Sequence, residues 1–265
     1  MIGRDKLRPD QDLRKSGSGR QIAMRKVSLA MLADFGRKIA YKVRRKLNLR
    51  EITIEGVRLT AEREFVPASI RKQLLQKRYE TPEYLLVSAA VKPTDRVLEL
   101  GAGIGFISLV CAKICGPENV LSYEPNPQMQ RVIEKNYALN RLQPNLRNRL
   151  VSVEAGTTDF FVSENVLSSS MIDRNLGSKT KLQADAMSDV VAAYQPTVIV
   201  MDVEGAELEL LRNCSLDGVS KIIVEMHPTI VGHDEVAKLL DFLSDKGLET
   251  RRVMGKTFYL DRVAR

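Results

Sequence analysis

The sequence has no tryptophan, and seven phenylalanines with seven tyrosines bring its aromatic share to 5%. Bases of single-stranded nucleic acid are held largely by stacking on aromatic rings, so this scarcity counts against such an acceptor. Cysteine is scarce too. Cys111 and Cys115 share one helical pattern and Cys214 stands alone, which gives neither an even disulfide framework nor zinc-ligand spacing. No apolar stretch approaches the roughly 18 residues of a spanning helix, and the first residues, MIGRDKLRPDQDLRKSGSGR, lack the apolar core of a secretory signal. These absences lead us to expect a cytoplasmic protein with reduced thiols, at most peripheral to a membrane. Histidine occurs twice, as His227 and His233, so imidazole chemistry falls on one of two positions.

What is present is an ordinary globular composition, 44% hydrophobic and 28% charged over 265 residues, with a net charge of +8. The charge is unevenly placed: residues 1–50 carry 15 basic and 4 acidic side chains, whereas residues 51–265 carry 26 and 29. The basic surplus is therefore the property of an arm, and the body of the chain is slightly acidic. Residues 1–20, polar and Gly/Ser-containing, have the composition of a disordered basic tail. Residues 21–50 read as a basic amphipathic helix, because Met24, Val27, Met31, Phe35, Ile39, Val43 and Leu47 follow three- and four-residue spacing. Such a helix can dock on the main domain, on an anionic membrane surface or on nucleic acid.

The remaining stretch, 51–265, reads as one α/β domain. Glu51–Leu59 alternates around Gly56 as a hairpin, and Thr81-Pro82-Glu83 has the form of a helix start capped by Thr81. Strand patterns follow at Arg96–Leu100, Asn119–Tyr123, Leu150–Glu154, Thr197–Asp202, Lys221–Glu225, Glu249–Met254 and Lys256–Asp261. Helical patterns at Ile107–Cys115, Gln128–Asn140, Ala206–Arg212 and Asp234–Lys246 separate most of them. That alternation predicts a Rossmann-like, seven-stranded, mostly parallel sheet whose last two strands form an antiparallel hairpin. Val162–Leu182 reads as a lid or a hairpin.

Ligands of an open parallel sheet bind beyond the carboxyl ends of its strands. The first parallel strand ends in Glu99-Leu100-Gly101-Ala102-Gly103-Ile104-Gly105, and the second ends at Glu124, where an acid can accept both hydroxyls of a ribose. The glycine spacing is G-x-G-x-G, not the G-x-G-x-x-G that brings a helix N-terminus to a pyrophosphate. Glu99 in the strand would repel a pyrophosphate but attract a cationic amino group. A cationic, ribose-bearing cofactor without phosphate, S-adenosyl-L-methionine, fits best; a nicotinamide-dependent oxidoreductase is the weaker enzyme reading. The fourth strand runs into Asp202-Val203-Glu204-Gly205-Ala206-Glu207 and the fifth into Glu225-Met226-His227-Pro228. Asp202 is the acid expected to act at the site, while Glu207 reads as a first-turn residue complementing the helix dipole.

Together with Arg78-Tyr79-Glu80 and Tyr123-Glu124-Pro125, these segments resemble the FkbM-type family of class I S-adenosylmethionine-dependent methyltransferases. The resemblance covers roughly residues 51–265 and leaves the basic arm outside. It departs at Gly103, where the loop commonly carries Asn, and at Met201, where Lys is common. It implies O-methylation of a sugar, glycan or small metabolite. Cofactor contacts would come from Tyr79, Glu80, Glu99, Gly101, Ala102, Gly103, Gly105, Glu124, Pro125 and Asp202. For catalysis His227 is the natural base, with Asp202 and Glu204 as alternatives. No metal is expected; a divalent ion on Asp202, Glu204 and Glu225 is the minor alternative. A nucleic-acid-associated methyltransferase, or an inactive binding module using the basic arm, is the rival reading.

Overall fold

The computed structural model describes residues 36–163 and 177–263. The tail 1–20, the first part of the 21–50 helix and the middle of the 162–182 segment lie outside the described residues. Contacts divide the chain into two units, Met1–Asn48 and Leu49–Arg265. In the first, residues 36–46 are helical (α1).

The second unit opens with the hairpin β1 (Glu51–Ile54) and β2 (Val57–Thr60). Glu55 and Gly56 both take positive φ, 46° and 76°, as a two-residue hairpin turn matched to strand twist requires. Two helices follow, α2 (Ala68–Gln76) and α3 (Thr81–Ala90). Thr81 is the first helical residue of α3 and not its cap; that place is taken by Glu80, left-handed at φ 45°, with no side-chain capping bond. Next come β3 (Val97–Leu100), α4 (Phe106–Cys115), β4 (Val120–Tyr123), α5 (Pro127–Leu139) and β5 (Leu146–Arg147). They are followed by β6 (Leu150–Ser152), β7 (Gly156–Ser163), β8 (Gly177–Ala186), α6 (Met187–Tyr194), β9 (Val198–Met201) and α7 (Glu207–Arg212). The last elements are β10 (Lys221–Glu225), α8 (Pro228–Val231), α9 (His233–Asp245), β11 (Leu248–Met254) and β12 (Thr257–Arg262).

Seven strands form the main sheet in the order β11-β12-β10-β9-β3-β4-β5. β12 runs antiparallel to both β10 and β11, and β10, β9, β3, β4 and β5 are mutually parallel. Every residue of β3 and β9 is buried, because helices cover both faces. Alternation then sorts the side chains: Val97, Val198 and Val200 join the core beneath α3, α4 and α5, while Leu98, Leu100, Ile199 and Met201 join that of α6, α7 and α9.

The third strand of the main sheet is the two-residue β5, and not Leu150–Glu154 as the pattern predicts. Ser122 and Glu124 N–H donate to the carbonyls of Asn145 and Arg147. The Asn148 amide then bonds the Glu124 carbonyl and turns the chain away. Leu150–Ser152 becomes β6 of a separate sheet, β6-β8-β7, whose antiparallel β7 and β8 form the flanks of the 162–182 segment.

Candidate functional site

The strand order reverses between β3 and β9, and the loops that follow these two strands meet there. A Cβ on Gly101 (φ 84°) would lie 1.9 Å from the Asp202 carbonyl oxygen, so only glycine lets the two loops touch. Gly103 (φ 55°) faces the Tyr79 hydroxyl, which a Cβ would approach to 3.0 Å. The loop's amides are already engaged. Gly101 and Ala102 N–H bond the Tyr123 carbonyl, Gly105 N–H that of Ala102, and Gly103 N–H Glu124 Oε2 at 2.8 Å. These four groups are therefore not available to cradle a pyrophosphate. Ala102 and Gly105 serve the shape of the turn. Ala102 is buried, Gly105 precedes α4 against Ile133, and neither lines the cleft.

The cleft holds about 860 Å³ of atom-free space open to solvent. Tyr79, Glu80, Gly101, Gly103, Glu124, Pro125, Asp202 and Glu204 supply its polar and turn-forming wall, and Ile70, Leu100, Met129, Leu150, Val151 and Val203 the apolar one. Glu124, at the end of β4, accepts one N–H on each oxygen, from Gly103 and from Asn126 (2.9 Å). Burial pushes its pKa up to about 7, partly offset by those amides. Each oxygen keeps a lone pair for a further donor, as a vicinal diol demands. Glu99, buried mid-strand on the face of Val97, lies outside this cleft and lines a smaller cavity with Glu80, Glu83 and Asp202. Its Oε2 has no hydrogen-bond partner. Burial lifts this carboxyl to about 7, with Ser122 and Ser108 opposing.

A second open cavity adjoins the cleft, and Tyr79, Glu80, Asp202 and Glu204 line both. Its wall carries Glu80, Glu83, Asp202, Glu204 and Glu225 against Arg78 and Lys256. Asp202 is partly open to these cavities, but its Oδ1 is enclosed without a hydrogen-bond partner. Burial holds Asp202 well above the usual carboxylate range, Glu225 adds to the shift and His227 opposes it. Burial likewise raises Glu80 well above its ordinary value, with Tyr79 opposing. Glu204 follows Asp202 and Val203 in left-handed conformation, φ 52°, a strained geometry for a non-glycine residue.

His227 lies behind this wall and lines neither cavity. Its Nδ1 bonds Glu207 Oε1, which also accepts the Gly205 N–H at 3.1 Å. Its Nε2 faces Asp202, Glu204 and Glu225 at 3.6, 3.7 and 3.7 Å. Burial draws its pKa down, but the Glu207 hydrogen bond and charge, with Asp202 and Glu204, outweigh this and hold it above the ordinary 6.5. Asp202, Glu204 and His227 each bring a donor atom within 4.8 Å of the other two. This set has His227 in place of the Glu225 of the minor alternative read from the sequence, where no metal is expected.

Glu207 is a correction to the sequence reading. It sits in the first turn of α7 but is wholly buried, so it orients an imidazole and does not serve a solvent-facing helix end. Glu83 and Arg149, the latter paired to Asp185 at 2.7 Å, are further site-lining residues that sequence reasoning missed. The one available signal was position, since Arg149 follows shortly after the β4–β5 edge and Glu83 opens α3.

A family model described as "Methyltransferase FkbM domain" matches residues 99–249. No curated protein compared with the chain matches it. Among solved structures, the M. jannaschii TYW2 complex with AdoMet is 12% identical over 80% of this chain and 86% of that one, with a TM-score of 0.42. A ribosomal protein L11 methylase from Lactobacillus delbrueckii subsp. bulgaricus is 17% identical over 70% and 80% (TM-score 0.40). Aeropyrum pernix fibrillarin, with natively bound S-adenosyl-L-methionine, is 16% identical over 67% and 72% (TM-score 0.37).

Proposed function

The chain belongs to the FkbM-domain family of S-adenosyl-L-methionine-dependent methyltransferases, and on that premise we propose that it methylates a hydroxyl oxygen of a sugar, glycan or small metabolite. The cofactor supplies a methyl group already activated on a sulfonium. Tyr79, Glu80, Gly101, Gly103, Glu124, Pro125 and Asp202 would hold it, Glu124 taking the ribose hydroxyls. The fit rests on loop amides that are used internally and on a wall of carboxylates, which suits a cation bearing a diol and opposes a pyrophosphate.

The observation that carries the reading is the pair of cavities joined at Asp202 and Glu204. Acceptor and methyl can meet there in near-attack geometry, which contributes up to about 7–11 kcal/mol to such reactions. A hydroxyl must lose its proton as the oxygen is methylated. One carboxylate of the Asp202, Glu204 and Glu225 group receives it. His227, absent from both cavity walls, is a positioning residue in this account and not the base. A chamber lined by five acids opposes a polyanionic acceptor, which speaks for small molecules or neutral glycans over RNA.

The test is transfer of labelled methyl from S-adenosylmethionine into separated small-molecule, glycan and RNA fractions of a cell extract. Alkali-stable label in a small-molecule or glycan fraction, lost with Asp202→Asn, is expected. Label confined to RNA overturns the acceptor assignment.

A further inference from the structure

Methyl transfer needs one proton acceptor, yet three carboxylates from two strand ends converge on a single imidazole nitrogen. The separations from His227 Nε2 to Asp202 Oδ1, Glu204 Oε2 and Glu225 Oε1 are 3.6, 3.7 and 3.7 Å. These are too long for hydrogen bonds. They match donors sharing one ion: two ligands each about 2.1–2.3 Å from a metal and that far apart subtend roughly 105–120°.

Two further observations point to a ligand. The His227 side chain is only 6% exposed, and its Nε2 faces the three carboxylates at 3.6–3.7 Å. The ring is fixed in that orientation by Glu207, a 0% exposed carboxylate on Nδ1, the arrangement by which metal sites orient a ligating histidine. Separately, Asp202 Oδ1 is enclosed and has no hydrogen-bond partner.

We propose that Asp202, Glu204 and His227 bind a divalent cation at the junction of the two cavities, with Glu225 beside it. Two carboxylates and one imidazole are donors suited to Mn²⁺ and its neighbours more than to a thiophilic ion. The ion's catalytic role rests on the methyl-transfer reading above; its binding does not. Bound to the ion, an acceptor hydroxyl becomes more acidic. Its O–H bond breaks and the proton goes to the Glu225 carboxylate. The oxygen's electron pair forms the new C–O bond as the C–S bond breaks, leaving its pair on sulfur. The ion is unchanged.

The test uses the full chain, stripped with a chelator and titrated with Mn²⁺ without cofactor while the electron paramagnetic resonance signal of free aqueous Mn²⁺ is followed. Wild type should deplete the signal with about one site per chain, and Asp202→Asn and His227→Gln should abolish that depletion while remaining folded by circular dichroism. Glu207→Gln, which leaves the three ligands in place and removes the charged partner of the histidine, should weaken binding by roughly 10–100-fold. A wild-type signal equal to that of buffer, or binding unchanged in Asp202→Asn and His227→Gln, overturns the site. If either variant fails to fold, the wild-type titration and Glu207→Gln still decide. Mn²⁺ binding without methyl transfer would keep this site and remove the function proposed above. Chelator-resistant transfer with no Mn²⁺ binding would do the reverse.

Discussion

The two edges of the main sheet bury charge in opposite ways. At the amino edge, Asp95 receives Lys221 Nζ at 2.6 Å, the Lys92 N–H at 2.7 Å and the Thr197 hydroxyl at 3.0 Å. Both its oxygens are partnered, and the buried pair ties the starts of β3, β9 and β10 together. At the carboxyl edge, Glu99 Oε2, Asp202 Oδ1 and Glu207 Oε2 are buried without partners, and carboxylates crowd one histidine. A protein that satisfies buried charge at one end of a sheet and leaves it unsatisfied at the other has placed its structural pair and its chemistry apart. The rest of the fold, through its two apolar cores, supports the costly end.

Substitutions at the two edges should therefore separate stability from activity. Lys221→Met leaves Asp95 charged, buried and short of a partner, and should cost about 3–5 kcal/mol of stability in denaturant unfolding. The affinity of the folded fraction for cofactor should be unchanged. Asp202→Asn should reduce turnover by roughly 10²–10⁴-fold while its melting temperature stays at or above that of wild type, because a group that resists ionisation there has been made neutral. A melting temperature lowered as far as that of Lys221→Met would erase the contrast.

A further effect concerns pH. Glu99 and Glu124 have folded pKa values of about 7 against an ordinary 4.5. As pH rises from 4.5 the unfolded chain sheds these protons first, so the cofactor-free protein should lose stability up to about pH 7 and change little from these groups above it. Urea midpoints measured across that range should fall, and Glu99→Gln should flatten the fall. The smallest effect expected is that of Glu124→Ala on cofactor affinity, about 10–100-fold, the worth of hydrogen bonds to a charged group.

The parallel strands were legible because runs such as Val198–Met201 are apolar at every position, which only a doubly covered strand requires. The acids at their ends were legible through the rule that sites form there. The third strand was not. A two-residue β5 carries no periodicity, and Leu150-Val151 is a true strand that belongs to another sheet. Glu207 was misread because its position in α7 is local, whereas its partner His227 is 20 residues away and reached only through tertiary packing. His227 was found as a residue but not in its setting, since sequence does not tell which of two faces of a strand end is walled by carboxylates.

The central claim is that the β3–β9 crevice binds S-adenosylmethionine through Glu124. Isothermal titration of S-adenosylhomocysteine into the wild-type chain and into Glu124→Ala tests it most directly. The account predicts one site per wild-type chain and a distinctly weaker one in the variant; no heat with wild type, or equal affinities in the two proteins, would contradict it.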